Sequence, residues 1–212
     1  MIAGNVESGS RRSESRSGRV AGALLFIATA ILIPARHAPT TGGDELWALL
    51  GGGAHIVLFR HASTEPGLGD PPGFRLDSCV TQRNLSDAGR EEARRIGAAF
   101  RRHGVPVGRV LSSRWCRCLE TARLAFGRAE PWPPLDSFFD DRAREPTQTR
   151  AVRAMMAEPI SGGTLVLVTH QVNITALTGI VPATGEMIVL ARQSDGSTRI
   201  AGRMGSAAFS GN

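Results

Sequence analysis

The sequence predicts an α/β layered fold. Short apolar runs that are typical of buried strands alternate with segments in which apolar residues recur at helical spacing. The clearest strands are 55–60 and 164–169, which are apolar, rich in branched residues and bounded by glycines. Such runs are typical of parallel strands that are buried on both faces of a sheet.

The first half of the domain is predicted to contain a helix, a strand and a second helix. Asp44 is a suitable N-cap for a short helix that ends at Leu50. The strand at 55–60 follows a run of three glycines. Ser86 caps a longer helix with one apolar face, which Gly104 ends.

The second half of the domain repeats this alternation. A short strand at 109–111 leads into a helix that Gly127 ends, and a further helix is predicted at 149–157. The buried strand at 164–169 follows. The last elements are a helix at 171–179 and a hairpin of strands 187–191 and 198–201 around Ser194-Asp195-Gly196.

Residues 1–38 are predicted to be a signal peptide or a signal anchor. The uncharged run at 20–35 follows a basic segment, and it is short for a helix that spans a bilayer. We expect export to the periplasm or another extracytoplasmic space, with cleavage or membrane attachment through 20–35 left open. Residues 39–204 then form one domain, and 205–212 are predicted to be a frayed tail.

Composition argues against nucleic-acid binding. The formal charge is +6, and all 25 basic residues are arginine. The arginines are scattered along the chain, and no basic patch interleaved with aromatic residues is present. A nucleic acid is therefore not an expected partner.

The three cysteines are either small buried apolar side chains or include one disulfide. In the second case, Cys79 pairs with either Cys116 or Cys118, and the remaining thiol is free. The spacing of Cys116 and Cys118 does not fit a zinc ribbon. A disulfide would also suit the oxidising compartment that export implies.

Polar residues stand at the carboxyl ends of three predicted strands. Arg60 and His61 stand at the end of the first, Arg114 follows the second after two serines, and His170 follows 164–169. In a parallel sheet these ends meet at one edge, where α/β proteins bind ligands. Two guanidinium and two imidazole groups suit a phosphoryl dianion, and a neutral imidazole can attack its phosphorus.

These motifs resemble the histidine phosphatase superfamily, whose fold is phosphoglycerate mutase-like. The resemblance covers about residues 54–180, with the motifs in the order that the family shows. The matching segments are Phe59-Arg60-His61-Ala62-Ser63-Thr64, Leu85-Ser86-Asp87-Ala88-Gly89-Arg90, Ser112-Ser113-Arg114 with Glu120-Thr121-Ala122, and Thr169-His170.

The resemblance implies a three-layer α/β/α fold with a mostly parallel central sheet, and a reaction that uses neither a metal nor a cofactor. It implies that His61 is the nucleophile and becomes a phosphohistidine. The residues implied to hold the phosphoryl oxygens are Arg60, Arg114, His170 and Thr64.

The general acid is the least defined part of this site. Gln171 stands where the acid-phosphatase branch of the family has its acid, and glutamine cannot donate a proton to a leaving alkoxide. Asp140 or Asp141 is the expected acid by position relative to the mutase-like branch, with Glu65 and Glu186 in reserve.

Two further points stay open at the level of sequence. Arg75, Gln82 and Arg83 either line the pocket or solvate the long loop at 63–83, while Phe138-Phe139 is more typical of core than of a substrate platform.

The leading function is a phosphatase that acts on a phosphomonoester or related phosphate. The alternatives are a phosphate-binding protein of the same fold with little or no turnover, and a phosphotransferase or mutase.

Overall fold

The computed structural model describes residues 43–209 and is built around one six-stranded sheet. The strands are β1 (His55–Arg60), β2 (Val107–Ser112), β3 (Glu130–Pro131), β4 (Thr164–Thr169), β5 (Met187–Arg192) and β6 (Thr198–Met204). Their order is β3-β2-β4-β1-β5-β6. The first four strands in this order run parallel. At one side, β5 pairs antiparallel with β1, and β6 pairs antiparallel with β5.

Five helices cover the two faces of the sheet. They are α1 (Gly43–Gly51), α2 (Asp87–Arg102), α3 (Cys116–Phe126), α4 (Glu145–Ala157) and α5 (Gln171–Thr178). Alternate residues of β1 point to opposite faces: Val57 and Phe59 pack with α1, α2 and α3, whereas Ile56 and Leu58 pack with α4 and α5. The predicted three-layer α/β/α fold with a mostly parallel sheet is confirmed.

Several element boundaries differ from the sequence prediction. The helix predicted at 149–157 begins at Glu145, because Pro146 lies in its first turn, where a missing N–H costs no hydrogen bond. The two-residue strand β3 was not predicted, since a run this short has no periodicity to detect. The hairpin was placed correctly, but its second strand extends to Met204, which is buried.

The expectation of a frayed tail from residue 205 is wrong for residues 206–209. Ser206–Phe209 forms a short 3-10 helix, and the Phe209 side chain is buried. Its ring lies 6.2 Å from the ring of Trp47 in an edge-on contact, which gives this segment an apolar anchor on α1.

The predicted signal segment, residues 1–38, lies outside the described residues. Within 43–209, none of the helices is both apolar enough and long enough to span a lipid bilayer.

Two glycines let α2 approach its neighbours closely. A Cβ at Gly89 would lie 1.8 Å from the carbonyl oxygen of Ser63, and one at Gly97 would lie 2.0 Å from that of Ala125. Ser86 caps the helix as predicted, because its side chain accepts a hydrogen bond from the Gly89 N–H at 3.1 Å. The start of α2 is therefore in direct backbone contact with the chain that follows β1.

The disulfide joins Cys79 to Cys116 and leaves Cys118 as a buried free thiol. Of the two pairings that the sequence allowed, the structure therefore selects one. It links the long loop at 63–83 to the first residue of α3.

Candidate active site

The pocket lies at the carboxyl ends of β1 and β4. These two strands pair in parallel, and Arg60 of β1 is level with Thr169 of β4. His61 and His170 follow directly, and their ring centroids are 5.4 Å apart. Both line a cavity of about 170 Å³, and Arg60 lines it with them. Three of the predicted site residues thus meet as expected.

The His61 ring is held in one tautomer by its own backbone. Nδ1 lies 2.9 Å from the carbonyl oxygen of Ala62, which can only accept a hydrogen bond, so Nδ1 carries the proton. The lone pair is then on Nε2, the nitrogen that is left for the pocket. The backbone N–H of His61 donates to the Thr169 carbonyl at 3.0 Å, which fixes the residue at the end of β4.

The His61 imidazole is uncharged at neutral pH. Burial away from water, followed by the nearby positive charge of Arg117, lowers its pKa to about 3. The residue is only 3% exposed. A buried neutral imidazole with an unprotonated Nε2 is the state that a nucleophilic histidine requires.

His170 joins the pocket to a buried polar network. Its Nε2 lies 2.8 Å from Ser113 Oγ, and Arg117 Nη2 lies 3.5 Å from its Nδ1. Because arginine can only donate, Nδ1 is the accepting nitrogen and Nε2 carries the proton towards Ser113. Burial lowers the pKa of His170 well below its usual value, followed by the charge of Arg117.

Three arginines form a cationic cluster around the two histidines. Arg60 donates to the Pro182 carbonyl and Arg83 to the Gly67 carbonyl, each at 2.7 Å. Arg117 is the third, and all three line the cavity. In the described part of the chain, the Nε atom of each of these arginines is buried and has no hydrogen-bond partner. The cluster therefore has unused donor capacity, which suits an oxyanion.

Asp70 fixes the position of Arg117. Its carboxylate accepts two hydrogen bonds from that guanidinium, at 2.7 and 3.1 Å, and one from Trp115 Nε1 at 2.9 Å. It also accepts from the backbone N–H of Arg83 at 2.9 Å. Both partners of the ion pair are buried, with side-chain exposures of 5% and 3%. A carboxylate from the long loop thus offsets a cation in the first turn of α3, where the helix dipole disfavours it.

The structure does not bring Arg114 into the pocket. Its guanidinium binds the fully buried carboxylate of Asp136, with Nε 2.9 Å from Oδ2, and its side chain is 43% exposed. Arg114 is therefore corrected from a phosphate ligand to a partner of Asp136. Arg117, three residues further along the chain and in the first turn of α3, lines the pocket instead.

One feature of the sequence could have identified Arg117, but a search for polar residues at the ends of strands does not use it. A basic residue in the first turn of a helix opposes the helix dipole, and it is tolerated when an anion lies beside it. Arg117 satisfies this condition through Asp70, which was not singled out because it lies in a loop with no periodic pattern.

The two expected acids are placed differently. Asp140 is an exposed residue that lines the cavity. Asp141 instead caps a short 3-10 helix, where its Oδ1 accepts a hydrogen bond from the Ala143 N–H at 3.2 Å. Of the two aspartates, Asp140 is the one that the structure brings to the site.

The remaining predicted site residues lie outside the cavity lining. Thr64 is in an isolated β-bridge with Leu85, and Glu65 is exposed beside it. Glu186 binds the guanidinium of Arg203, with contacts of 2.6 and 3.0 Å, which engages both of its oxygens.

The structure shows which of the three residues left open in the long loop line the cavity. Arg83 lines the cavity, whereas Gln82 is buried and accepts a hydrogen bond from the Cys116 N–H at 2.9 Å. Arg75 is exposed and pairs with Asp77. Within residues 43–209, no group of three or more His, Cys, Asp or Glu side chains is arranged as a metal site.

Residues 56–146 match the family model of the histidine phosphatase superfamily, branch 1. This range contains His61, Arg83 and Arg117, and it ends before His170. A search of curated proteins gives no significant match.

Solved structures with the same fold include several phosphatases. The protein histidine phosphatase SixA, complexed with tungstate, is 18% identical, with a TM-score of 0.53 over 74% of this chain and 99% of that one. A mutant phosphoserine phosphatase of Entamoeba histolytica in complex with phosphoserine is 12% identical, with a TM-score of 0.54 over 73% and 98%. A mycobacterial glucosyl-3-phosphoglycerate phosphatase with inorganic phosphate is 14% identical, with a TM-score of 0.51 over 69% and 94%.

At these identities the solved structures show the fold of this chain. The match to the histidine phosphatase superfamily model covers residues 56–146, which include His61 and the pocket residues Arg60, Arg83 and Arg117.

Proposed function

We propose that the protein is a phosphatase that hydrolyses a phosphomonoester or related phosphate through a phosphohistidine on His61. One observation carries the proposal: a buried, neutral His61 with an unprotonated Nε2 lies among Arg60, Arg83 and Arg117. A cationic cluster attracts the phosphoryl dianion, and the free lone pair can attack it.

Binding of the phosphoryl group draws on the arginines and on α5. The first backbone N–H groups of a helix lack intrahelical partners, and α5 has no side-chain cap. Gln171 and Val172, in its first turn, line the cavity. The positive end of α5 therefore supports the same anion as the guanidinium groups do.

In the first chemical step, Nε2 of His61 attacks phosphorus and forms a P–N bond while the P–O bond to the leaving group breaks. Asp140, in its protonated form, gives its proton to the departing oxygen. The ring becomes positively charged, and the Nδ1–H bond to the Ala62 carbonyl stabilises that charge. The arginines offset negative charge on the phosphoryl oxygens during transfer.

In the second step, water attacks phosphorus and the P–N bond breaks. The Asp140 carboxylate accepts a proton from this water, which restores the protonated acid, and Nε2 of His61 regains its lone pair. Inorganic phosphate leaves. The structural neighbours with phosphoserine, phosphate and tungstate bind ligands of the same tetrahedral oxyanion type, which supports this choice of substrate class.

A second function is favoured by one feature of the pocket. Gln171, which cannot act as an acid, follows His170 at the cavity wall, and Asp140 is exposed. If Asp140 does not protonate the leaving group, the protein would bind phosphate esters with little turnover.

Trapping of the intermediate tests the proposal. Purified protein is mixed with ³²P-labelled p-nitrophenyl phosphate and quenched in alkali, in which phosphohistidine survives. We expect label on the wild-type protein and none on His61→Ala, whose fold is checked by circular dichroism. Hydrolysis without label on the wild type would contradict the phosphohistidine. Phosphate binding without hydrolysis of any ester would favour the second function.

A further inference from the structure

We propose that the substrate's leaving group is apolar and that Leu68 and Phe139 bind it at the mouth of the pocket. This inference rests on the proposed function, because it names the class of ester that the same site accepts. Leu68 is 87% exposed and Phe139 is 44% exposed, yet both line the cavity that contains His61. Large apolar side chains exposed together at a pocket are typical of a binding surface.

The lining of the cavity combines groups of different chemistry and exposure. His61 and His170 are buried and, with the arginines, suit the phosphoryl group. Leu68, Phe139 and Val172 line the same cavity, and each comes from a different segment of the chain. A phosphate ester that places its phosphorus at His61 would extend its leaving group along these apolar side chains.

The two loops that carry Leu68 and Phe139 meet at the pocket. A Cβ built on Gly69 would lie 4.0 Å from Cε1 of Phe139, so this ring lies against the backbone beside Leu68. A positive φ of 68° at Gly69 also favours glycine there. The Leu68 and Phe139 positions are therefore next to each other in space.

Phe139 is held in its exposed position by its surroundings. Phe138 is 1% exposed, and the guanidinium carbon of Arg142 lies 5.7 Å from the centre of its ring. The Phe139 N–H donates to Ser137 Oγ at 3.2 Å. Because Phe138 is anchored in the protein, the next side chain along the loop is directed to the pocket.

Affinity for n-alkylphosphonates tests this inference without requiring turnover. These compounds carry the oxyanion but cannot be hydrolysed by P–O cleavage. Titration calorimetry with methyl-, butyl- and hexylphosphonate measures how affinity depends on chain length. Complete burial of a CH2 group favours binding about three- to fourfold. We expect hexylphosphonate to bind the wild type at least about tenfold more tightly than methylphosphonate.

Substitutions assign the effect to the two side chains. In the double variant Leu68→Ser/Phe139→Ser, we expect the chain-length dependence to fall below about twofold. Val80→Ser is the matched control, because Val80 is apolar, 92% exposed and in the same loop but does not line the cavity. It should keep the wild-type dependence.

The outcomes separate this inference from the proposed function. Equal affinity for the three phosphonates in the wild type would overturn the apolar leaving group, even if the enzyme hydrolyses phosphate esters. An unchanged chain-length dependence in a folded double variant would overturn the assignment to Leu68 and Phe139. A rise in affinity with chain length, lost in the double variant, supports the inference even if the trapping experiment finds no phosphohistidine.

Discussion

At the scale of single residues, the chemistry of His61 depends on its protonation. Burial and the charge of Arg117 both disfavour the imidazolium, and the Ala62 carbonyl selects which nitrogen keeps the proton. A phosphoryl dianion in the pocket would reverse part of this effect, because it offsets the arginine charges. The free protein and its phosphate complex should therefore differ in histidine protonation.

Titration of the histidine rings checks this prediction. An ordinary histidine, with a pKa of about 6.5, is mostly charged at about pH 5. Because the pKa of His61 is about 3 and that of His170 is also lowered, both should stay neutral at that pH. Proton–nitrogen correlation spectra should show them uncharged, with assignment from His61→Ala and His170→Ala. Protonation of either ring near pH 6.5 in the free protein would contradict the prediction.

The sequence identified the residues that follow strands better than those placed by helices and loops. Arg60, His61 and His170 were found because strand ends meet at a sheet edge whatever the loops do. Arg114 also follows a strand, but its guanidinium binds Asp136, and Arg117 lines the pocket instead. Two arginines lie close together near the start of α3, and distant carboxylates determine which of them faces the pocket. The pattern of strands in the sequence does not predict where those carboxylates lie.

Alanine variants of the two arginines should differ in turnover. Arg117→Ala removes a donor beside His61, and we expect kcat/KM to fall about 100- to 1000-fold. Arg114→Ala is the matched control: it leaves the buried Asp136 without its guanidinium and should cost about 1–3 kcal/mol of stability. The turnover of Arg114→Ala should stay within about tenfold of the wild type. Steady-state kinetics and denaturant unfolding give both quantities. The opposite ranking of the two rates would return Arg114 to the site.

At the scale of elements, the loop at 63–83 and the start of α3 act as one unit. Three contacts join the loop to two adjacent residues at the start of α3. They are the Cys79–Cys116 disulfide, the Gln82 side chain on the Cys116 N–H, and the ion pair of Asp70 with Arg117. The sequence analysis identified a long loop at 63–83, but these contacts are long-range and leave no periodic trace in the sequence.

Asp70 is predicted to be a positioning residue that acts through Arg117. In Asp70→Asn a buried guanidinium loses its counter-charge, which costs about 3–5 kcal/mol of stability. We expect kcat/KM to fall at least about tenfold, because the guanidinium loses its orientation.

A double-mutant cycle distinguishes this role from a merely structural one. If Asp70 acts through Arg117, the Asp70→Asn change should have little further effect on kcat/KM in an Arg117→Ala background. Equal effects in both backgrounds, each measured on folded protein, would show that Asp70 acts independently.

At the scale of the whole molecule, the alternation of predicted strands and helices was enough to predict a layered α/β fold, and the resemblance to the histidine phosphatase superfamily implied its three layers. Both faces of the sheet are buried, so each parallel strand appears as an apolar run, and short strands between helices leave few arrangements. The loop contacts that complete the pocket could not be predicted in this way. The pairing of Cys79 also stayed open, because Cys116 and Cys118 are equally plausible from spacing alone.

The disulfide should contribute measurably to stability. It closes a loop with a sequence separation of 37 residues, and a bridge of this span stabilises a protein by about 2–4 kcal/mol. Reductant should lower the free energy of unfolding, measured with denaturant, by this amount, and Cys79→Ser should lower it equally. Cys118→Ala, which removes the free thiol, should keep the response to reductant. An identical midpoint with and without reductant would contradict the prediction.

We propose that the protein is exported through residues 1–38, and the disulfide supports this localisation, since such bridges persist in oxidising compartments. Alkylation of free thiols in intact cells tests the proposal. In exported protein, only Cys118 should be available for modification after denaturation. Three reactive thiols in a cytoplasmic fraction would contradict it.

The contact between Gly89 and Ser63 has a consequence for engineering. Ser63 lies two residues after His61, and any side chain at position 89 would collide with its carbonyl. The collision would be transmitted along two peptide units to the His61 ring. Mutagenesis libraries that seek new substrates can therefore vary the rim of the pocket freely, but position 89 should be kept as glycine in every member.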